Sequence, residues 1–355
     1  MSNRITAARA EELFASGDLI SIGKQADAAR QRLHPEKTVT YIIDRNINYS
    51  NLCVSACRFC AFYKNPDSPA SADSNGGYTL PYEELKRKIE ETKSVGGVQI
   101  LMQGGLHPSW EIGDYERLLK RIKDDFQIHL HAFSPPEIVH ISKLSGLSVN
   151  DTLQRLIDAG LDSIPGGGAE ILVDEIRKRI SPNKCTADEW ISVMRAAHRL
   201  GLKTTATMMF AHVETIKDRI AHLEKIRELQ DETGGFTAFI PWTFQPKNTA
   251  LENEVKKSPG CNDYIKTLAV SRIFLDNVPN VQASWVTQGA KVAQMSLYFG
   301  ANDFGSTMLE ENVVRAAGVS FSMDEREIRR LINDAGFTAR RRAQDYSLLP
   351  EPTGL

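Results

Sequence analysis

The chain reads as an α/β fold, a (β/α)8 TIM-like barrel with flanking N- and C-terminal helices. Three observations predict it. Short apolar runs alternate with amphipathic segments of helical period, and the alternation repeats eight times. A polar or glycine-rich turn leaves each apolar run. The 355 residues, 41% hydrophobic and 25% charged, can fill one large core, and no linker interrupts them. Eight strand–helix units call for a parallel sheet closed on itself.

In chain order, the strands are expected at Val39 to Arg45, Val98 to Met102, Gln127 to Ala132, Ser163 to Pro165, Thr204 to Phe210, Thr237 to Trp242, Val281 to Trp285 and, more weakly patterned, Phe299 to Phe304. Amphipathic helices are expected at Pro81 to Ser94, Tyr115 to Lys123, Val149 to Asp158, Ala187 to Leu200, Ile216 to Asp231 and Cys261 to Leu275. Thr79 is suited to cap the first of these, with Pro81 near its start, and Gly160 and Gly201 sit where helices should stop. Residues 1–35 form an N-terminal helical segment, 36–322 the barrel, and 323–355 a C-terminal helical segment and tail. The polar stretch KNPDSPASADSNGGY at 64–78 reads as an exposed loop within the barrel.

The formal net charge is −2, with no long run of Lys or Arg, so the electrostatic footprint of a nucleic-acid binder is missing. The first residues lack the apolar core of a signal peptide, and no stretch reaches 18 uninterrupted apolar residues. The expectation is a cytoplasmic protein that engages neither membrane nor nucleic acid.

In a barrel of this type, the turns at the carboxyl ends of the strands converge on one cavity. Those turns carry the unusual residues here: NLCVSACRFC, QGGLHP, FSPPEI, PGGGAEI, AHVET, TFQPKNT, VTQGAK and GSTMLEENVV. Each taken singly is ordinary strand-to-helix punctuation. Their occurrence together on one face points to a site.

The first turn places Cys53, Cys57 and Cys60 within eight residues, although the chain has only five cysteines. Chance would produce this spacing about once in a thousand such chains. Three thiolates so close suit one metal centre, either zinc or an iron–sulfur cluster. A structural zinc wants four ligands, and the nearest fourth candidate, His107, lies across a strand. Three cysteines around a 4Fe–4S cluster leave one iron open to a small molecule. Cys185 and Cys261 are isolated and read as ordinary thiols.

C-x3-C-x2-C, with the aromatic Phe59 before the last cysteine, resembles the signature of the radical S-adenosylmethionine superfamily. The resemblance implies a barrel in which Cys53, Cys57 and Cys60 hold a 4Fe–4S cluster. Its open iron chelates S-adenosyl-L-methionine, and reduction of the cluster yields a 5′-deoxyadenosyl radical. It further implies that Phe59 lies along the adenine and that Gln103, Gly104 and Gly105 form the glycine-rich turn against the methionine end. Ser134 and Glu170 become polar contacts to the cofactor's amino group or ribose. The plainer reading of Glu170 is a carboxylate favoured by a helix N-terminus.

From Asn46 to Gly318 the chain resembles the cyclic dehypoxanthine futalosine synthase family of the futalosine route to menaquinone. The stretches that carry this are IPWTFQP, QASWVTQG and GANDFGSTMLEENVV, together with LMQGGLHP, FSPPEI and DSIPGGGAEIL. Ala211 departs from the glycine the family pattern has before His212. The resemblance implies abstraction of the ribose C4′ hydrogen of dehypoxanthine futalosine, closure onto the benzoate ring, and loss of an electron and a proton. An electron donor such as flavodoxin or ferredoxin is implied as a partner.

Beside that resemblance, Trp242, Phe244 and Trp285 are candidates to flank an aromatic ring, though strand-end aromatics are often plain core. Gln245, Thr287, Gln288 and Asn302 are candidates for ribose hydroxyls or a carboxylate. Asp303 is the candidate acceptor of the final proton, supported by Glu310 or Glu311. His107 and His212 are proton-transfer candidates, each equally readable as a structural histidine. His129 and His131 alternate in the third strand and face one side of the sheet. The rival readings are aminofutalosine synthase, the tyrosine-consuming enzyme of deazaflavin synthesis, and a zinc-carrying binding protein on a barrel scaffold.

Overall fold

The computed structural model of the chain describes residues 4–67, 76–255 and 260–350. The ten strands among them are β1 (Thr38–Ile42), β2 (Asp44–Ile47), β3 (Gln99–Met102), β4 (His129–Ala132), β5 (Ser163–Ile164), β6 (Lys203–Phe210), β7 (Phe236–Thr243), β8 (Asn280–Val281), β9 (Asp303–Ser306) and β10 (Thr338–Arg341). Strands β2 to β8 form one parallel sheet in sequence order, and β1 lies between β9 and β10 in a second. Two links join the sheets. The first expected strand breaks only at Ile43, so β1 runs on into β2. On the far side, Gln282 bridges Asp303, with the Ala283 amide donating to Asp303 O at 2.9 Å and the Asn302 amide to Val281 O at 3.1 Å. The strands thereby curl into a partial TIM-like barrel with helices outside, as the alternation predicts.

The helices form where the periodicity places them. Val149–Asp158 has its expected bounds, and Ile216–Thr233 exceeds its own by two residues. Gly160 and Gly201 follow helix ends at φ 115° and 87°, a left-handed conformation that costs glycine little. Thr79 does not cap the helix Tyr82–Ser94, whose N-cap Pro81 makes no side-chain cap bond. Its hydroxyl instead meets Ser50 Oγ at 3.3 Å and His107 Nε2 at 3.2 Å. The central part of the loop expected at 64–78 lies outside the described residues.

Four further expectations change. FSPPEI is no open turn, because the helix Pro135–Ser145 starts inside it, with Pro in its first turn and a reciprocal capping box between Ser134 and Glu137. The seventh strand ends at Val281, and Trp285–Gln288 is a helical turn, its Trp285 indole N–H donating to Ser306 O at 2.8 Å. Phe299 belongs to a 3-10 turn, and β9 starts only at Asp303. There the buried Arg272 guanidinium donates to Gly300 O and to the side-chain Oδ1 of Asn302 at 2.9 and 2.6 Å, which takes the Gly300 carbonyl out of sheet pairing. Finally, the C-terminal segment is not helical throughout. After the helix Glu325–Asp334 it adds β10 parallel to β1, then turns into the barrel.

Inward and outward side chains alternate along the strands as the pleat requires. Asp44 and Asn46 on β2 face the interior cavity. Arg45 between them points outward to Glu91 at 2.7 Å and Glu310 at 2.8 Å. His129 Nε2 and His131 Nδ1 both reach Ser163 Oγ at 2.7 Å, so the two do share a face. No described helix is long and apolar enough to cross a membrane.

At the end of β6, Ala211 sits at φ 67°. A left-handed alanine costs about 1–2 kcal/mol. Glycine there gives back about 0.5–1 kcal/mol of that as chain entropy. Ala211→Gly should therefore raise the melting midpoint by about 1–2 °C; a fall in a thermal melt would contradict this account of the turn. Acid sensitivity follows from His198, whose pKa burial lowers to about 4, while its ring nitrogens meet Thr233 and Thr204 hydroxyls. The unfolded chain takes up this proton near pH 6.5 and the folded chain only near its depressed value, so stability is present above about pH 6.5 and falls as pH drops. A melting midpoint that declines between pH 6.5 and 5, and declines less in His198→Gln, is the expected result.

Candidate active site

Most of the turns at the carboxyl ends of the strands surround one cavity of about 400 Å³ that extends down the barrel axis, although AHVET after β6 and TFQPKNT after β7 contribute no residue to its wall. Its upper rim is the cysteine loop. Lys64 O accepts from the Cys53 amide at 3.0 Å, Leu106 O from Val54 at 3.1 Å, and Ile180 O from Arg58 at 2.8 Å. Ala56, at φ 49°, makes the tight reversal between the first two cysteines. Cys53, Cys57 and Cys60 all line the cavity. The Leu106 amide donates to Cys53 Sγ at 3.3 Å, and Ser55 Oγ lies 3.2 Å from Cys57 Sγ.

This loop fits a cluster. Burial, then the neighbouring Cys57, pushes the Cys60 thiol up to about 11, and burial also raises Cys53. Metal coordination is what deprotonates such thiols. Among the described residues, no three His, Cys, Asp or Glu side chains converge on a single ion. A zinc site would gather its thiolates about 2.3 Å from one point, whereas a cluster distributes three of them over three irons. His107 does not supply a fourth ligand. Its Nδ1 accepts from the Ser109 and Trp110 amides at 3.3 and 3.2 Å, its Nε2 meets Thr79, and it is absent from the cavity wall.

The glycine turn after β3 runs beneath the rim, and Gln103, Gly104 and Gly105 line the cavity. A Cβ on Gly105 would stand 2.1 Å from Leu52 O and 2.8 Å from Cys53 Cβ, so this turn can lie against the cysteine loop only without side chains. Glu137 braces it. Its Oε1 accepts from the Gly104 amide at 3.0 Å and the Tyr49 hydroxyl at 2.8 Å, and its Oε2 from the Ser134 amide and hydroxyl at 2.7 and 2.6 Å. Sequence reasoning missed Glu137, although S-x-x-E at Ser134–Glu137 is a capping-box signal.

Across the cavity, buried Glu170 pairs with Lys184 Nζ at 2.7 Å, and that ammonium lies 5.0 Å from the centre of the Phe59 ring. Burial opposes the charge on Lys184, but Cys57 and Glu170 outweigh it and hold the lysine protonated. Lys184 escaped the sequence reading because it stands fourteen residues from its partner, beyond the turn. Trp242, Trp285, Thr287 and Ser134 also face the cavity.

Besides His107, seven expected residues do not line it. Asp303 is fully buried and saturated, accepting from Arg342 Nε and Nη2 at 2.5 and 3.1 Å, Thr40 Oγ1 at 2.5 Å and the Gly305 amide at 2.9 Å. Asn302 is held between Arg272 and Asn280, the latter at 2.7 Å. Glu310 lies outside the barrel wall with Lys88 at 2.7 Å and Arg45, while Glu311 faces in. His212 is tied to Glu214 at 3.1 Å and Met209 O at 3.1 Å, and burial lowers its pKa. Gln245 and Gln288 both turn to Thr243 Oγ1, at 3.0 and 2.5 Å, and Phe244 packs with Ile180, Met209 and Leu251. The floor comes instead from the C-terminal return, whose Arg342, Gln344 and Tyr346 line the cavity, with Gln344 Nε2 3.2 Å from His131 Nε2.

Replacing Gly105 by Ala should cut the iron and sulfide retained after anaerobic reconstitution at least severalfold, with far-UV circular dichroism unchanged. Full cluster content in that variant would contradict the close packing of the two loops.

A family model described as the radical SAM superfamily matches residues 47–226, and one described as the CofH/MqnC C-terminal region matches 233–355. The interval between them falls between the paired strands β6 and β7, so it marks no structural boundary. The chain is 45% identical, over 98% of its length and 92% of the relative, to a cyclic dehypoxanthine futalosine synthase of Halalkalibacterium halodurans. It is 40% identical, over 93% of its length and 89% of the relative, to the 5-amino-6-(D-ribitylamino)uracil–L-tyrosine 4-hydroxyphenyl transferase of Methanopyrus kandleri. The crystal structure of a methylornithine synthase shares the fold, with a TM-score of 0.74 over 96% of this chain and 95% of that one at 17% identity. Enzymes of this superfamily use a 4Fe–4S cluster and S-adenosylmethionine, and the donor set at Cys53, Cys57 and Cys60 fits that requirement. The chain is an enzyme of the radical SAM superfamily and belongs to the family that carries the CofH/MqnC C-terminal region and includes the cyclic dehypoxanthine futalosine synthases.

Proposed function

We propose that the enzyme cyclises dehypoxanthine futalosine in menaquinone biosynthesis. The observation that carries this is the 45% identity to a synthase of that name over 98% of the chain. The cavity supports the reading, because one chamber joins the cysteine rim, two tryptophans and a polar floor. When bound, the cluster and S-adenosylmethionine supply the 5′-deoxyadenosyl radical that takes hydrogen from carbon.

The chain's own work is to hold and shield. Cys53, Cys57 and Cys60 hold the cluster, and Gly104 and Gly105 let their turn lie against Tyr49 and the cysteine loop, with its backbone toward the methionine end of the cofactor. Glu170 and Lys184 form a buried charge pair beside Phe59, positioned to orient the cofactor's polar groups. Trp242 and Trp285 face the chamber, where they can flank the benzoate ring and exclude water. The ring proton goes to a carboxylate of the chamber wall. Of the acids lining the wall, Glu311 comes from the same segment as Asp303, which is itself committed to Arg342, and takes the role expected of it. In this reading the enzyme works in the cytoplasm and receives its electron from a flavodoxin or ferredoxin.

The 40% identity to the tyrosine transferase favours a second reading in which the same chamber takes the ribitylaminouracil. An anaerobic assay with reductant and S-adenosylmethionine separates the two. Dehypoxanthine futalosine should be consumed with one equivalent each of free 5′-deoxyadenosine and methionine per cyclic product, and Cys57→Ser should abolish all three. Adenosyl found attached to the product would instead support an aminofutalosine synthase. Turnover only of 5-amino-6-(D-ribitylamino)uracil with tyrosine would support the transferase.

A further inference from the structure

Two buried amides in the chamber are each only half used. Asn46 on β2 and Gln99 on β3 are 5% and 3% exposed and line the cavity. Each gives its NH2 to a carboxylate: Asn46 Nδ2 to the half-buried Glu311 Oε2 at 3.0 Å, and Gln99 Nε2 to the buried Asp44 Oδ2 at 2.5 Å. A carboxylate accepts and does not donate, so these bonds fix which end of each amide is oxygen. Burial raises the pKa of both acids, but amide donors oppose that in each, with Ser306 Oγ also donating to Asp44 and the Val313 and Val314 amides to Glu311. The amide oxygens, Asn46 Oδ1 and Gln99 Oε1, are left buried without any partner.

Leaving a buried acceptor unpaired is costly, and native proteins keep few of them. Two on adjacent strands, oriented by neighbouring acids, form an acceptor site that calls for donors. We propose that Asn46 Oδ1 and Gln99 Oε1 bind hydroxyl groups on the sugar carbons of the substrate. This rests on the proposed function for the identity of that sugar, a ribose, but the chemistry fits any bound polyol chain, the ribityl group included.

The cofactor's own ribose is the competing source of hydroxyls, and position argues against it. Gln99 precedes the Gln103–Gly105 turn by four residues, roughly 13 Å along the strand. Phe59, Glu170 and Lys184 gather at the opposite wall, by the turn after β5. The half-used amides lie below that turn in two successive inward layers, Asn46 level with Leu101 and His131 and Gln99 one layer deeper beside Asp44 and level with His129, where a second molecule would sit. Sugar binding here takes over the role expected of Gln245, Gln288 and Asn302, which are turned away.

The test is calorimetric binding to reconstituted, unreduced enzyme in the presence of S-adenosylmethionine. Wild-type enzyme should bind dehypoxanthine futalosine at least fivefold more tightly than an analogue lacking the sugar 2′- or 3′-hydroxyl. Asn46→Leu and Gln99→Met, with iron content and circular dichroism unchanged, should lose that discrimination and leave the affinity for S-adenosylmethionine within twofold. Equal binding of the hydroxylated and deoxy ligands by wild type overturns the proposal even if neither variant folds. So does a variant that weakens both ligands alike, or one that weakens the cofactor instead. Should wild type bind no dehypoxanthine futalosine, the functional reading fails. The subsite is then judged by the same criteria with 5-amino-6-(D-ribitylamino)uracil and its deoxyribityl analogue.

Discussion

A carboxylate and a guanidinium removed from water hold this barrel together. Asp303 opens the strand that closes the sheet, and both its oxygens accept from Arg342, at 2.5 and 3.1 Å. A buried pair of this kind gains little by existing, but removing one partner costs about 3–5 kcal/mol because the other charge is stranded. The geometry joins three distant parts of the chain. β9 supplies the acid, β1 supplies the Thr40 hydroxyl, and the C-terminal return supplies the base. Since Arg342 follows β10, which pairs with β1, the stretch from Arg342 to Tyr346 is drawn under the barrel and becomes the chamber floor.

Above that floor, buried acids act chiefly as braces. Glu137 clamps the glycine turn to the helix that begins at Pro135. Asp44 and Glu311 each orient an amide. Glu170 fixes Lys184 beside Phe59. Glu137, Asp44 and Glu311 each accept from two or more donors and Glu170 is paired with an ammonium, and this is what keeps a charged or polar group tolerable in a low-dielectric interior. A reaction that exposes a carbon radical needs such a wall, because rigid, satisfied groups offer the reactive centre neither water nor a loose hydrogen donor.

The clustering of three cysteines in one turn, the alternation of strands with helices, and the convergence of most turns on one face were legible from residue order. Each depends on short-range spacing, and the period of the hydrophobic pattern sets the type of element that forms. The misread elements have a common cause. β10, with the sequence TARR, has no apolar alternation and becomes a strand only by pairing with β1. The expected eighth strand begins late because Arg272, some thirty residues away, takes the groups around Gly300.

For the site residues the division follows the same line. Spacing within a turn was enough to bring Cys53, Cys57, Cys60, Phe59 and Gly104–Gly105 to the chamber wall, because a loop that short has few ways to present its side chains. Tertiary structure alone decided between Glu310, outside the wall with Lys88, and Glu311, inside it with Asn46. It also removed Asp303, Asn302 and His212 from the chamber and brought in Lys184, Arg342 and Gln344. The side of the barrel wall a side chain faces is set by strand parity and by where its charged partner lies. That partner comes from remote chain, so no local pattern in the sequence records it.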